Sequence, residues 1–263
     1  VGALGPVVDA LRQWRQDQRD RSTVNKLRYA IGWCRVNPST FPRTRRRWLM
    51  VALTTQRDNP WVAGLSALDP QALEVLQIDP NAVDRNSLAE LLASTITRTH
   101  CQGIVSLLAT DEQAQQDPPG LPVGLMSTLL LTQAYSDCDM DLPLWVLTQG
   151  AVSVSDEDAV VNASQSAAWG LGQSVCLEYP HWWGGLIDLP ETVTPHAVEQ
   201  LQTILTCRQS EDQLAIRPHG ISARRLQPAP LPRTRVRTWT ASGTALVTGA
   251  TGRLGKHIAG WLA

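Results

Sequence analysis

The sequence predicts an α/β fold: a doubly wound, mostly parallel sheet with a short helix before it and the opening unit of a second such fold after it. Three observations carry this. Apolar strand-like runs alternate with helical stretches through most of the 263 residues, the pattern of βαβ units. That alternation breaks at 227–243, where Pro228, Pro230 and Pro232 are followed by Arg233, Arg235 and Arg237, a proline-rich polar connection. Beyond the break, 244–263 reads as a short apolar strand, a glycine-rich turn and an amphipathic helix.

Taken in order, residues 1–22 place Val7, Ala10, Leu11 and Trp14 on one helical stripe, with charged or amide side chains from Arg15 to Arg21. So short a helix is marginal alone. Its stripe is expected to be buried, either on its own domain as a linker helix or against a second copy of the chain. Leu27–Val36 then alternates like a half-buried strand, Trp48–Leu53 is a fully apolar strand, and Ala72–Ile78 is another candidate. Ser87 with Glu90 reads as the capping box of a helix running through Ala93. Strand Gly103–Ala109, helix Leu121–Tyr135, strand Leu144–Val154 and helix Ala163–Leu177 follow. Gly185–Leu189 is a strand, and Pro195–Cys207 is a helix with Val198, Leu201, Ile204 and Leu205 on one face. Leu214–Leu226 closes the series as strand, with Gly220 as a turn. The expected organisation is a helical element at 1–24, an α/β lobe at 25–226, a linker at 227–243, and the first strand-turn-helix of an incomplete second lobe at 244–263.

Composition narrows the function. With 43% hydrophobic and 18% charged residues the chain reads as an ordinary globular protein, and a net charge of -1 gives no pull toward nucleic acid or an anionic membrane. No apolar run reaches the roughly 20 residues of a membrane span, and nothing resembles a signal peptide. The widely spaced cysteines Cys34, Cys101, Cys138, Cys176 and Cys207 form no metal-ligand pattern, so reduced thiols in a cytoplasmic protein are expected. His100 beside Cys101, with Asp111 downstream, invites a thiol-nucleophile or metal reading, but their place at the edge of an apolar strand favours packing. The Arg43–Arg47 cluster lacks interleaved aromatics and reads as solvated surface, or at most a contact with a neighbouring domain. Trp169, Trp182, Trp183 and Trp261 fall on faces that favour core or interface packing over a stacking platform.

The chemistry concentrates in the terminal turn. Gly249, Gly252 and Gly255 stand at three-residue spacing between a strand and a helix, with Thr248, Thr251, Arg253 and Leu254 around them. In the Rossmann pattern the first glycine permits the tight turn, the second admits phosphate to the backbone, and the third lets helix and strand pack closely. Amides at the helix start then face the anion. Arg253 lies within reach of an adenosine 2′-phosphate or stays solvated. The first lobe has the same order of elements but a different loop. Thr54–Asn59 contains no glycine, Pro60 removes an amide, and Thr110-Asp-Glu-Gln puts two carboxylates after the next strand. It is expected to keep the shape of a dinucleotide fold without holding a dinucleotide.

Particular residues then match a family. Leu144-Trp-Val-Leu-Thr-Gln-Gly-Ala-Val, Ala167-Ala-Trp-Gly-Leu-Gly-Gln-Ser-Val-Cys-Leu-Glu-Tyr-Pro and Trp183-Gly-Gly-Leu-Ile-Asp-Leu-Pro closely resemble the ketoreductase region of modular type I polyketide synthases. So do Arg28-Tyr-Ala-Ile-Gly-Trp, Gln213-Leu-Ala-Ile-Arg-Pro and Ala223-Arg-Arg-Leu. The resemblance covers essentially the whole chain. It implies a truncated short-chain-dehydrogenase fold as a structural subdomain that binds no cofactor. It implies also the start of an NADPH-binding catalytic subdomain, and a dimerisation element at residues 1–22. The implied partners are the rest of the catalytic subdomain, an acyl carrier protein bearing the β-ketoacyl thioester, and a second copy of the chain, without nucleic acid or membrane. Ketone reduction there needs a tyrosine proton donor, a serine, a lysine, and hydride from the nicotinamide. The family pairs tyrosine with lysine, or in this branch asparagine, four residues on. Here Tyr29, Tyr135 and Tyr179 are followed at that offset by Trp33, Asp139 and Trp183. No catalytic residue is therefore assigned, NADPH belongs to the complete domain, and the chain alone is expected to bind it weakly or not at all. An inactive parent, leaving a scaffold or docking module, is the alternative.

Overall fold

A computed structural model describes residues 5–37, 46–115, 120–207, 211–231 and 242–262. The chain divides into two compact units, one spanning Ile31–Leu226 and the other combining Val1–Ala30 with Gln227–Ala263.

The larger unit is built on an eight-stranded sheet. The strands are β1 (Tyr29–Val36), β2 (Trp48–Leu53), β3 (Leu73–Ile78), β4 (Gly103–Ser106), β5 (Leu144–Gln149), β6 (Trp183–Leu189), β7 (Gln213–Arg217) and β8 (Gly220–Pro228). Their order is β1-β8-β7-β6-β5-β4-β2-β3. The pairs from β3 across to β7 are parallel, while β7 and β8 form an antiparallel hairpin. This is a Rossmann-like sheet, mostly parallel as the sequence predicts.

Both faces of the central strands are covered, which is why β2 reads as a continuous apolar run. Trp48, Met50 and Ala52 join one core with Trp61 and Leu65 of α2 (Pro60–Leu68) and Val198, Leu201 and Leu205 of α6 (Pro195–Thr206). Leu49, Val51 and Leu53 point the other way. They meet Leu88, Leu92 and Ile96 of α3 (Arg85–Thr99) and Leu131 and Tyr135 of α4 (Val123–Ser136). A third cluster seats Ala168 and Trp169 of α5 (Ser166–Glu178) on Val146 and Leu186. At roughly 25 cal/mol per Å² of apolar surface removed from water, these two-sided cores are the main force holding the sheet.

Several local readings change. The sequence reading leaves α2 unassigned. Pro60 begins the helix, where its missing amide costs nothing, and the Asn59 side chain caps it by accepting from Trp61 N at 2.9 Å. Helix α3 starts earlier than a Ser87 cap allows: Asp84 is the cap, accepting from Ser87 N, and the Ser87 hydroxyl returns a bond from Asp84 N, so Glu90 has no part in it. The expected strand Leu214–Leu226 is the β7–β8 hairpin, turned through Pro218–His219.

In the smaller unit α1 runs Gly5–Leu27, longer than 1–22 or 1–24, and buries none of its residues. Val7, Leu11 and Trp14 stay more than half exposed. The start of the 227–243 connection returns to the end of α1, with Ala229 N donating to Arg28 O (3.0 Å) and Leu231 N to Asn25 Oδ1 (2.7 Å). Residues 232–241 of that connection lie outside the described residues. The last helix, α7, spans Arg253–Leu262. Ala245–Val247, expected as a strand, is in no sheet. A strand exists only through its neighbours. Among the described residues no helix is long and apolar enough to cross a membrane.

Candidate functional site

The glycine turn is formed even without its strand. Gly249 takes φ +67°, Gly252 N donates to Gly249 O at 2.9 Å, and Lys256 N donates to Gly252 O at 3.1 Å. Gly255 is buried, and a Cβ there would lie 2.1 Å from Gly249 O, so only glycine lets α7 start this close to the turn. Thr248, Thr251, Arg253 and Leu254 are exposed around it. The first-turn amides of α7 have no intrahelical acceptor, which is the donor set an anion uses. Leu254, Ile258 and Trp261, at i, i+4 and i+7, form an outward apolar face, with Leu254 79% exposed.

In the larger unit, ligands of a doubly wound sheet would be sought at the carboxyl ends of the strands, where the order reverses. Here that point lies between β2 and β4, because the chain leaves β2 for β3 on one side and then crosses to β4 on the other. The crevice is filled from within. Thr54–Gln56 forms one 3-10 turn, and Leu108–Thr110 forms another. The Gln56 side chain accepts from Leu53 N (2.9 Å) and donates to Leu107 O (3.1 Å) and Thr110 Oγ1 (2.9 Å). Asp111, nearly buried, accepts from Thr55 Oγ1 (3.3 Å) and Gln113 N (2.9 Å).

The ends of β5, β6 and β7 hold a buried ionic network. Asp188 on β6 is fully buried; its Oδ1 accepts from Thr148 Oγ1 (2.7 Å) and Ala151 N (2.9 Å). Arg217 on β7 donates through Nη2 to Asp188 Oδ2 and Val152 O, both at 2.7 Å, and through Nε to Asp158 Oδ2 at 2.8 Å. Trp169 Nε1 donates to Thr148 Oγ1 at 3.0 Å. Burial pushes the Asp188 carboxyl above its ordinary range, and Thr148, Ala151 and Arg217 pull it back in part. The sequence reading missed this cluster. A charged residue in each of two mostly apolar strands, Asp188 and Arg217, was the available signal.

The remaining candidates fall into structural roles. Tyr135 is buried, its hydroxyl donating to Leu142 O and accepting from Leu142 N, both at 2.9 Å, and burial pushes its pKa up to about 12. Tyr179 stacks on Trp182 with ring centroids 5.0 Å apart, while Tyr29 is exposed on β1. His100 takes φ 55° to end α3, and Cys101 is buried against Thr99 Oγ1, its thiol pushed up by burial. No group of three or more His, Cys, Asp or Glu side chains suited to a metal occurs among the described residues. Trp169 and Trp182 are core residues, Trp183 is partly buried and Trp261 is exposed. Arg47 anchors the end of α3 by donating to Thr99 O at 3.0 Å, and Arg43–Arg45 lie outside the described residues.

Comparison with known proteins places this geometry. Residues 47–226 match the family model of the Rossmann fold domain of the polyketide synthase extender module SpnB. The chain belongs to the ketoreductase region of modular type I polyketide synthases. It is 39% identical over 264 residues to polyketide synthase GfsA of Streptomyces halstedii, covering 98% of the chain and 4% of that protein. With the pikromycin synthase component PikAIII of Streptomyces venezuelae it shares 37% over 254 residues, 96% of the chain and 15% of that protein. Among solved structures, a C2-type ketoreductase from a modular polyketide synthase aligns with TM-score 0.74 and 37% identity, over 89% of this chain and 51% of that one. An A-type ketoreductase aligns with TM-score 0.69 and 40% identity, over 78% and 43%. The chain thus spans about half of each ketoreductase and a small fraction of each synthase.

Proposed function

We propose that this ketoreductase region supplies the structural lobe and the pyrophosphate turn of a domain that reduces carrier-bound β-ketoacyl thioesters to β-hydroxyacyl thioesters with NADPH. The contrast between the two turns, 249–255 and 54–59, carries the reading. At 249–255 the backbone is bare, glycine-built and flanked by Arg253 and Lys256, which suits a pyrophosphate. At 54–59 the equivalent space is filled by Gln56, whose amide is spent on Leu107 and Thr110. The residues that would hold the dinucleotide phosphates are Thr248, Gly249, Thr251, Gly252, Arg253, Leu254 and Gly255. The bound nicotinamide would supply hydride.

No residue of this chain is assigned a proton-transfer role. Tyr135 is committed to the Leu142 backbone in the core, and Tyr179 is packed on Trp182. The proton donor and its orienting groups belong to the remainder of the catalytic lobe. The exposed face Leu254, Ile258 and Trp261 on α7 suits packing against that remainder, and α1, which buries none of its own residues, suits pairing with a second copy through residues 1–22. The further partner is the acyl carrier protein that delivers the thioester.

Fluorescence titration tests the division of labour. The 263-residue chain is expected to show no saturable NADPH binding in the micromolar range, because the adenine and ribose contacts lie on strands that follow α7. A chain extended through the complete ketoreductase should bind NADPH and reduce a β-ketoacyl thioester. Micromolar affinity in the shorter chain would overturn the reading.

A further inference from the structure

A polar groove of about 720 Å³, lined by the end of β1, by α6 and by the β7–β8 turn, takes no part in the roles above. It stands outside the parallel core, since β7 and β8 are antiparallel and β1 follows β8 at the edge of the sheet. Three lining side chains bring N–H donors: Arg35 from β1, His196 from α6 and His219 from the turn. Arg35 decides the character of the groove. Arg47, Arg85, Arg98, Arg217, Arg224 and Arg225 each donate to an acceptor elsewhere in the lobe. The exposed Arg35 guanidinium has no such acceptor among the described residues. A glycine makes room for it. Gly220 takes φ +127°, and a Cβ there would lie 3.1 Å from both Arg35 Nε and Nη2. His196 is steadied from its own helix, with Gln200 Nε2 lying 3.0 Å from its Nε2.

We propose that this groove binds a phosphate ester, its phosphate held by Arg35, His196 and His219. A carboxylate spends both oxygens on one guanidinium fork. A phosphate has a further oxygen for imidazole donors on other elements, and here α6 and the turn supply two. The groove exceeds a bare phosphate in volume, which leaves room for the group that carries it. Glu199, also in the lining, opposes an anion and limits the affinity. An open site with one permanent cation and one opposing carboxylate gives a Kd in the millimolar range. This inference is independent of the reductase reading, which concerns the turn at 249–255.

NMR of the histidine rings in the whole 263-residue chain, titrated with glycerol phosphate, acetate and glycerol, tests it, because the histidines report on different places. His257 lies on α7 just past the glycine turn, so phosphate held at 249–255 moves its signals, while phosphate in the groove moves those of His196 and His219. Glycerol phosphate should shift His196 and His219 saturably, acetate should bind at least about threefold more weakly, and glycerol should shift neither. Arg35→Met should weaken glycerol phosphate at least about threefold with no change in melting temperature, and Glu199→Gln should tighten it by a similar factor. Should Arg35→Met fail to fold, Glu199→Gln carries the test, since a gain in affinity cannot come from a damaged fold. Absence of saturable shifts at His196 and His219, equal affinity for acetate, or affinity indifferent to either substitution would overturn the assignment, whatever His257 does.

Discussion

Arg217→Met is the sharpest probe of what holds the carboxyl ends of β5, β6 and β7 together. Methionine keeps most of the arginine's apolar stem and removes its charge and its donors. Asp158, partly exposed, can turn to water. Asp188 cannot: it is fully buried and would keep only Thr148 Oγ1 and Ala151 N. Stranding one member of a buried pair costs about 3–5 kcal/mol, which in a lobe of this size lowers Tm by on the order of 10 °C. Lost hydrogen bonds and packing alone predict a loss of similar size, so a second variant must separate the causes. In Arg217→Met/Asp188→Asn no charge remains to strand, and the neutral amide can still accept from Thr148 and Ala151. If the stranded charge dominates, the double variant is more stable than Arg217→Met. If lost contacts dominate, it is less stable.

The pH dependence gives an independent sign. Burial already lifts the Asp188 carboxyl above its ordinary value, and removing Arg217 lifts it further. A carboxyl whose folded pKa lies above its unfolded one destabilises the fold at pH values above the folded pKa. That penalty fades as pH falls toward the unfolded value. The deficit of Arg217→Met against the parent should therefore be full at mildly alkaline pH and shrink on acidification. Denaturant unfolding followed through tryptophan fluorescence, at several pH values, measures both effects. A double variant no more stable than Arg217→Met, with a deficit flat in pH, would refute the reasoning.

Two further outcomes follow from particular geometry. Gly255→Val drives a branched side chain into Gly249 O and should unwind α7, seen as lost hydrogen-exchange protection over 253–262, while 31–226 keeps its melting transition. Trp14→Glu or Leu11→Glu should shift the chain from dimer to monomer in sedimentation velocity, and unchanged sedimentation would remove residues 1–22 from the dimer contact.

What the sequence disclosed and what it concealed divide along physical lines. Strand β2 was legible because burial on both faces leaves a composition with no polar residue, and α6 because Val198, Leu201 and Leu205 repeat at helical spacing on one packed face. Helix boundaries were less legible, since one residue type serves two positions. Pro60 reads as a breaker until Asn59 is seen to cap it, and Ser87 reads as a cap until Asp84 takes that place. The glycine turn was readable because each glycine answers a local steric demand, and Gly255 against Gly249 O states that demand directly. The segment Ala245–Val247 shows the limit of local reading. Its pattern asks for a strand, but a strand depends on ladder bonds from neighbours, and an apolar sequence alone cannot make it one. The same dependence hides the Asp188–Arg217 pair and the plug made by Gln56. Each joins residues distant in sequence and adjacent only because parallel strands bring their carboxyl ends to one edge. In the glycine turn the signals for binding a phosphate are local and can be read in order. The lack of glycine in Thr54–Asn59 is local too, but the way Gln56 fills the space beside β2 is assembled by the sheet and emerges only when the strands are laid side by side.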